Sequence, residues 1–121
     1  MRSPRCVALT LAVLVTVAAS AGAHAFLDRA EPKVGSTLRA SPSEVRLWFT
    51  ENLEPAFSSV QVLDASGGRV DKDDGRVDTS NLALLRTSLV PLPPGAYKVV
   101  WRVVSIDSHV TAGDFAFRVI R

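Results

Sequence analysis

From Glu44 to Thr50 the chain alternates strictly, with Val45, Leu47 and Phe49 on one side and Arg46, Trp48 and Thr50 on the other. Tyr97, Val99, Trp101 and Val103 repeat the pattern against Lys98, Val100, Arg102 and Val104, and Phe115, Phe117 and Val119 do so once more near the end. Side chains two apart share one face of a strand, so each run predicts a strand with one buried face. Phe57 to Leu63 and Leu82 to Leu89 are apolar enough for two further strands, and Phe26 to Ala30 for a short first one. Breakers separate them: Glu31-Pro32-Lys33-Val34-Gly35-Ser36, Ser41-Pro42, Ser66-Gly67-Gly68 and Pro91-Leu92-Pro93-Pro94-Gly95. Short strands spaced by such turns predict an all-β antiparallel sandwich or Greek-key barrel, with helices scarce. Trp101 shares the apolar face of its strand and is expected in the core, whereas Trp48 lies on the face opposite Val45, Leu47 and Phe49.

The first residues follow a different rule. Met1-Arg2-Ser3-Pro4-Arg5 is basic, Cys6 to Ala19 is apolar but short for a membrane span, and Ala21-Gly22-Ala23 closes on small residues. These are the three parts of a secretory signal peptide, which assigns 1–23 to a cleaved leader and 24–121 to one mature domain. Ala23-His24-Ala25 is also an A-x-A, so on spacing alone cleavage before His24 and cleavage before Phe26 stand nearly even.

Loss of the leader changes the chemistry. Cys6, the one cysteine, leaves with it, which removes disulfides and thiolate metal sites from the mature domain. Arg2 and Arg5 leave too, so fourteen Lys and Arg become twelve against twelve Asp and Glu. A near-neutral domain with interspersed signs gives no basic patch for nucleic acid or anionic lipid. The expected product is soluble, not membrane-embedded, and located in the periplasm or otherwise outside the cytoplasm. Monomer is the default oligomeric state.

The run Val70-Asp71-Lys72-Asp73-Asp74-Gly75-Arg76-Val77-Asp78 invites a calcium-loop reading, but the spacing fails. Counted from Asp71, an EF-hand needs glycine at position six and glutamate at twelve, and Gly75 and Leu82 stand at five and twelve. A solvated loop is the expectation.

Candidate chemistry concentrates on the only two histidines. Asp107 and His109, just beyond the Tyr97 to Val104 strand, face one side if the segment stays extended, so a carboxylate and an imidazole can meet one ion. His24, if terminal after cleavage, adds an α-amine and an imidazole from one residue. Two imidazoles, an amine and a carboxylate suit Cu(II) in tetragonal geometry, and copper heads the affinity order for such donors, with zinc the main competitor.

The segments His24-Ala25-Phe26-Leu27-Asp28-Arg29-Ala30-Glu31-Pro32, Leu47-Trp48-Phe49-Thr50-Glu51-Asn52-Leu53, Pro94 to Ser105, Asp107-Ser108-His109 and Gly113-Asp114-Phe115-Ala116-Phe117 together resemble the CopC family of bacterial periplasmic copper-resistance proteins. The resemblance covers essentially the whole mature chain. It implies an immunoglobulin-like Greek-key β-sandwich of about seven antiparallel strands that binds one Cu(II) through His24, counted twice, and through Asp107 and His109. It implies cleavage before His24, a non-enzymatic role in copper homeostasis, resistance or trafficking, and an inner-membrane copper transporter of the CopD type as a partner. Some relatives carry a methionine-rich Cu(I) site; the only methionine here is Met1, in the leader, so no Cu(I) site is expected. Glu51, in Phe49-Thr50-Glu51, is the candidate carboxylate to orient a ligating imidazole. Two alternatives stay open at this point: a histidine-brace copper oxygenase, and a metal-free β-sandwich interaction module.

Overall fold

Two four-stranded sheets face each other in the computed structural model, which describes residues 24–121. The leader assigned to 1–23 lies outside the described residues. In chain order the strands are β1 Leu27–Glu31, β2 Thr37–Leu38, β3 Glu44–Phe49, β4 Ser59–Leu63, β5 Arg76–Val77, β6 Leu84–Ser88, β7 Gly95–Val104 and β8 Val110–Val119. One sheet runs β1-β3-β6-β5 and the other β2-β8-β7-β4. The only helical element among the described residues is a 3-10 turn, Pro55–Phe57.

The alternation seen in sequence is the burial pattern of the sandwich. Val45, Leu47 and Phe49 of β3 meet Tyr97, Val99, Trp101 and Val103 of β7 and Phe115, Phe117 and Val119 of β8 in one core cluster. Each such side chain contributes about 1.5–3 kcal/mol relative to exposure, and together they hold the two layers face to face. Aromatic geometry refines the packing: Phe49 stands edge-on to Trp101 at 5.1 Å, and Tyr97 stacks on Phe117 at 5.5 Å. Trp101 is therefore a core residue, as expected. Trp48, on the outer face of β3, is half-buried beneath Arg29, whose guanidinium lies 3.9 Å from its ring centroid.

Four details differ from the sequence expectations. The sandwich has eight strands, and its edge pair is not antiparallel: Thr37 and Leu38 run parallel to Arg118 and Val119. The stretch expected to begin a strand at Phe57 starts with the 3-10 turn, and its strand begins at Ser59. The last strand reaches back to Val110, because Thr111 and Gly113 occupy inward positions that polarity alone hides. A β-carbon at Gly113 would lie 2.5 Å from Trp101 Cζ2, so the indole fills the space a side chain there would need.

The charged run is the fourth correction. It is not simply solvated, because Asp71 has its side chain fully buried and accepts from the Val62 amide, the Asp73 amide and Arg69. Asp74 accepts from the Ser88 amide and the Thr87 hydroxyl, and Arg76 and Val77 form β5. Buried charge persists where it is paired and hydrogen-bonded, so these aspartates tie the loop to β4 and β6.

Candidate metal centre

The hairpin of β7 and β8 pairs without interruption from Gly95 with Val119 to Val104 with Val110. Its tip, Ser105 to His109, is thus held at a fixed place, at the end of the sandwich where the chain leads into β1. The tip is a tight turn: the Ser105 amide donates to the His109 carbonyl at 2.9 Å and the Ser108 amide to the Ser105 carbonyl at 2.8 Å. Ser108 takes φ 72°, a left-handed conformation that only a turn imposes on serine. The segment does not stay extended, so Asp107 and His109 do not share a strand face. They meet because the turn folds them together, with His109 Nδ1 3.4 Å from Asp107 Oδ1.

Ser105 is the buried anchor of this turn. It bridges to Leu53, and its hydroxyl donates to Asp107 Oδ1 and accepts from the His109 amide. The Ser105 hydroxyl, with a smaller share from His109, holds the Asp107 carboxyl below the usual carboxylate range, so it is an anion at neutral pH. His109 Nδ1 is shielded from solvent and has no hydrogen-bond partner. A buried ring nitrogen 3.4 Å from a carboxylate, without an aligned bond, is a polar group whose partner geometry is incomplete.

The N-terminal lead-in is tied from two sides. Ala25 is fully buried, and its carbonyl accepts the Thr111 hydroxyl at 2.6 Å. Phe26 exchanges two bonds with Thr50, amide to hydroxyl at 2.9 Å and carbonyl from amide at 2.9 Å. His24, exposed beyond these ties, brings its ring to 4.7 Å from that of His109, inclined at 64°. Phe26, 61% exposed, flanks the pair at 6.1 Å from the His24 ring.

The arrangement is two contacts and not a closed cage: His24 touches His109, and His109 touches Asp107. Among the described residues no group of three His, Cys, Asp or Glu side chains is poised around one point. Glu51 makes no hydrogen bond or ion pair among the described residues. Its loop is nonetheless next to both segments, since Thr50 bonds Phe26 and the Asn52 carbonyl accepts from the Ile106 amide at 3.2 Å. A surface recess of about 480 Å³ is lined by Glu31 of β1, Lys33 of the following loop, Leu38 of β2 and Arg46 of β3, among others, and none of the histidine-end residues borders it. Sequence reasoning missed Ser105 and Thr111, because a hydroxyl that bonds across the chain leaves no periodic trace.

These features define a class: a two-layer β-sandwich carrying, on an open rim at one end, two imidazoles and a carboxylate from segments far apart in the chain. Residues 27–120 match the family model described as the CopC domain, and the chain belongs to the CopC family. Copper resistance protein C of Pseudomonas syringae pv. tomato is 35% identical over 111 residues, covering 85% of this chain and 86% of that protein. The copper transport protein CutJ of Bacillus subtilis is 30% identical over 112 residues, and the chain spans only 21% of its length. Among solved structures, CopC from Methylosinus trichosporium OB3b superposes with TM-score 0.70 at 34% identity, over 79% of this chain and 93% of that one. PcoC of Escherichia coli, described as a methionine-rich copper resistance protein, also gives 0.70, at 30% identity, over 81% of this chain and all of its own. The sandwich and the family expected from sequence both stand.

Proposed function

We propose that this protein is a periplasmic Cu(II) carrier, binding one copper ion on the rim where His24 and His109 meet. The observation that carries the reading is the 4.7 Å contact between these two rings, the only histidines in the chain, beside an Asp107 held as an anion. Cleavage before His24 frees its α-amine, and the same residue then supplies two nitrogens. His109 supplies a third, and Asp107 supplies oxygen. This donor set fits Cu(II), which accepts imidazole, amine and carboxylate together in tetragonal geometry. The fold supports cleavage before His24 over cleavage before Phe26, because the latter would discard Ala25, a fully buried residue bonded through its carbonyl to Thr111.

The names of the relatives point the same way, toward copper resistance and copper transport. The chain buffers or hands on copper without catalysing a reaction, as a monomer, and a CopD-type membrane transporter is the partner the family suggests. Unlike the methionine-rich relative, it offers no thioether for Cu(I), since its single methionine is Met1. Glu51, beside both tethered segments, orients a ligating imidazole through its free N–H once metal is bound.

The test is an intact mass of the exported protein followed by Cu(II) titration with electron paramagnetic resonance. A mass starting at His24, one equivalent bound and a nitrogen-rich tetragonal spectrum are expected. A chain starting at Phe26, or unchanged uptake by a version with one extra residue before His24, overturns the reading.

A further inference from the structure

The two segments of the metal centre belong to different sheets, so something must fix the N-terminal lead-in against the β8 side. Chain ends are poorly ordered unless tied down, and a chelating terminus that wanders must be ordered at the moment of binding. Thr50 ties Phe26 only to the end of β3, within the sheet that already contains β1. Among the described residues, one hydrogen bond runs directly from positions 24–26 to positions 105–111: Thr111 Oγ1 to the Ala25 carbonyl, 2.6 Å.

We infer that Thr111 is a positioning residue for the metal centre, its hydroxyl clamping the Ala25 carbonyl so that His24 is delivered to His109. Three features make the clamp effective. Thr111 lies opposite Val103 in the β7–β8 ladder, so its own backbone is fixed. It stands two residues from His109 along the chain, which places the clamp beside the histidine it serves. Its acceptor belongs to a residue with no exposed surface, one position from His24, and no other hydrogen bond reaches that carbonyl among the described residues. Loss of the hydroxyl leaves a buried carbonyl without a partner, and the lead-in gains by moving toward water. This role rests on the copper reading above and adds to it a residue that never touches the metal.

The test compares Thr111→Val, which keeps the shape and β-branching but cannot donate, with Thr111→Ser, which keeps the donor. Both are made in the protein whose mass starts at His24. The first measurement uses no metal: ring-to-ring nuclear Overhauser effects between His24 and His109, with a thermal melt to confirm that each variant is folded. The second is Cu(II) affinity by chelator competition. The clamp predicts that Thr111→Val loses the ring contact and binds Cu(II) about tenfold more weakly, the scale of freezing one residue's backbone on binding. Thr111→Ser is expected to keep the contact and stay within about twofold of the parent. Persistence of the ring contact in a folded Thr111→Val protein overturns the inference whatever copper does. A parent that keeps the ring contact but binds no Cu(II) overturns the copper reading and, with it, the metal-positioning role.

Discussion

The His24 ring rests 4.7 Å from the His109 ring, although one residue leads into β1 of the first sheet and the other closes the turn before β8 of the second. Neither sheet can build this contact by itself. The rim exists only when the two layers have closed on the core, so uptake at the proposed centre would report tertiary structure and not the local propensity of either segment.

The two side chains on the hairpin tip are expected to contribute unequally. Removing a directly ligating imidazole with His109→Ala costs at least about a hundredfold in Cu(II) affinity, whereas Asp107→Asn, which keeps the shape and loses the charge, costs about ten- to a hundredfold. Competition titration checks both, and equal affinities for parent and His109→Ala would contradict the proposed site.

Copper release and unfolding are expected at separate pH values. Protons compete with copper for amine and imidazole lone pairs, so uptake weakens as pH falls. The fold follows carboxylates instead. The Ser88 hydroxyl and amide, then the Thr87 hydroxyl, hold the Asp74 carboxyl down to about 2, and Ser80 and Arg86 lower that of Asp78. A depressed carboxylate contributes fully above its ordinary value and loses that contribution as pH falls through the folded value. Circular dichroism and copper binding recorded together should show copper lost while the protein is still folded, with acid destabilisation beginning only below about pH 4.

Asp74→Asn tests the acid limb directly. It removes the charge from bonds to the Ser88 amide and Thr87 hydroxyl, at a cost of about 1 kcal/mol after allowing for the partial exposure of the side chain. Denaturant unfolding should show that loss at pH 7 and a smaller difference from the parent near pH 2.

Gly113→Ala should destabilise the metal-free fold by about 1–3 kcal/mol, because the new β-carbon meets Trp101 Cζ2 at 2.5 Å and the indole must shift against Phe49. A lower melting temperature with altered tryptophan fluorescence is the expected signature, and Trp101→Phe in the same chain should restore part of the loss.

The fold was largely legible because β3 and β7 are long enough to show their period, and the alternating sets Val45, Leu47, Phe49 and Tyr97, Val99, Trp101, Val103 are the buried ones. β2 and β5 are two residues each and exist only through pairing with Arg118 and Arg86, which no local pattern announces. The front of β8 was hidden for a packing reason, since Trp101 forbids a side chain at Gly113 and thereby erases the apolar signal there. Asp71 misled in the opposite direction: its polarity suggested water, whereas three donors from the protein satisfy it in the interior. At the candidate site His24, Asp107 and His109 were readable as residue types. The turn at Ser108 and the bonds of Ser105 and Thr111 belong to tertiary structure and were not.

If His24 and the hairpin tip hold one ion as proposed, their placement on opposite layers has a mechanical consequence. An ion gripping His24 from one side and the hairpin tip from the other acts as a rivet through the open seam of the sandwich. At a free-metal level a thousand times the dissociation constant, such a rivet adds about 4 kcal/mol against prying the layers apart. On the proposed function, resistance to proteolysis would then gauge metal load, high with the ion bound and lower without it.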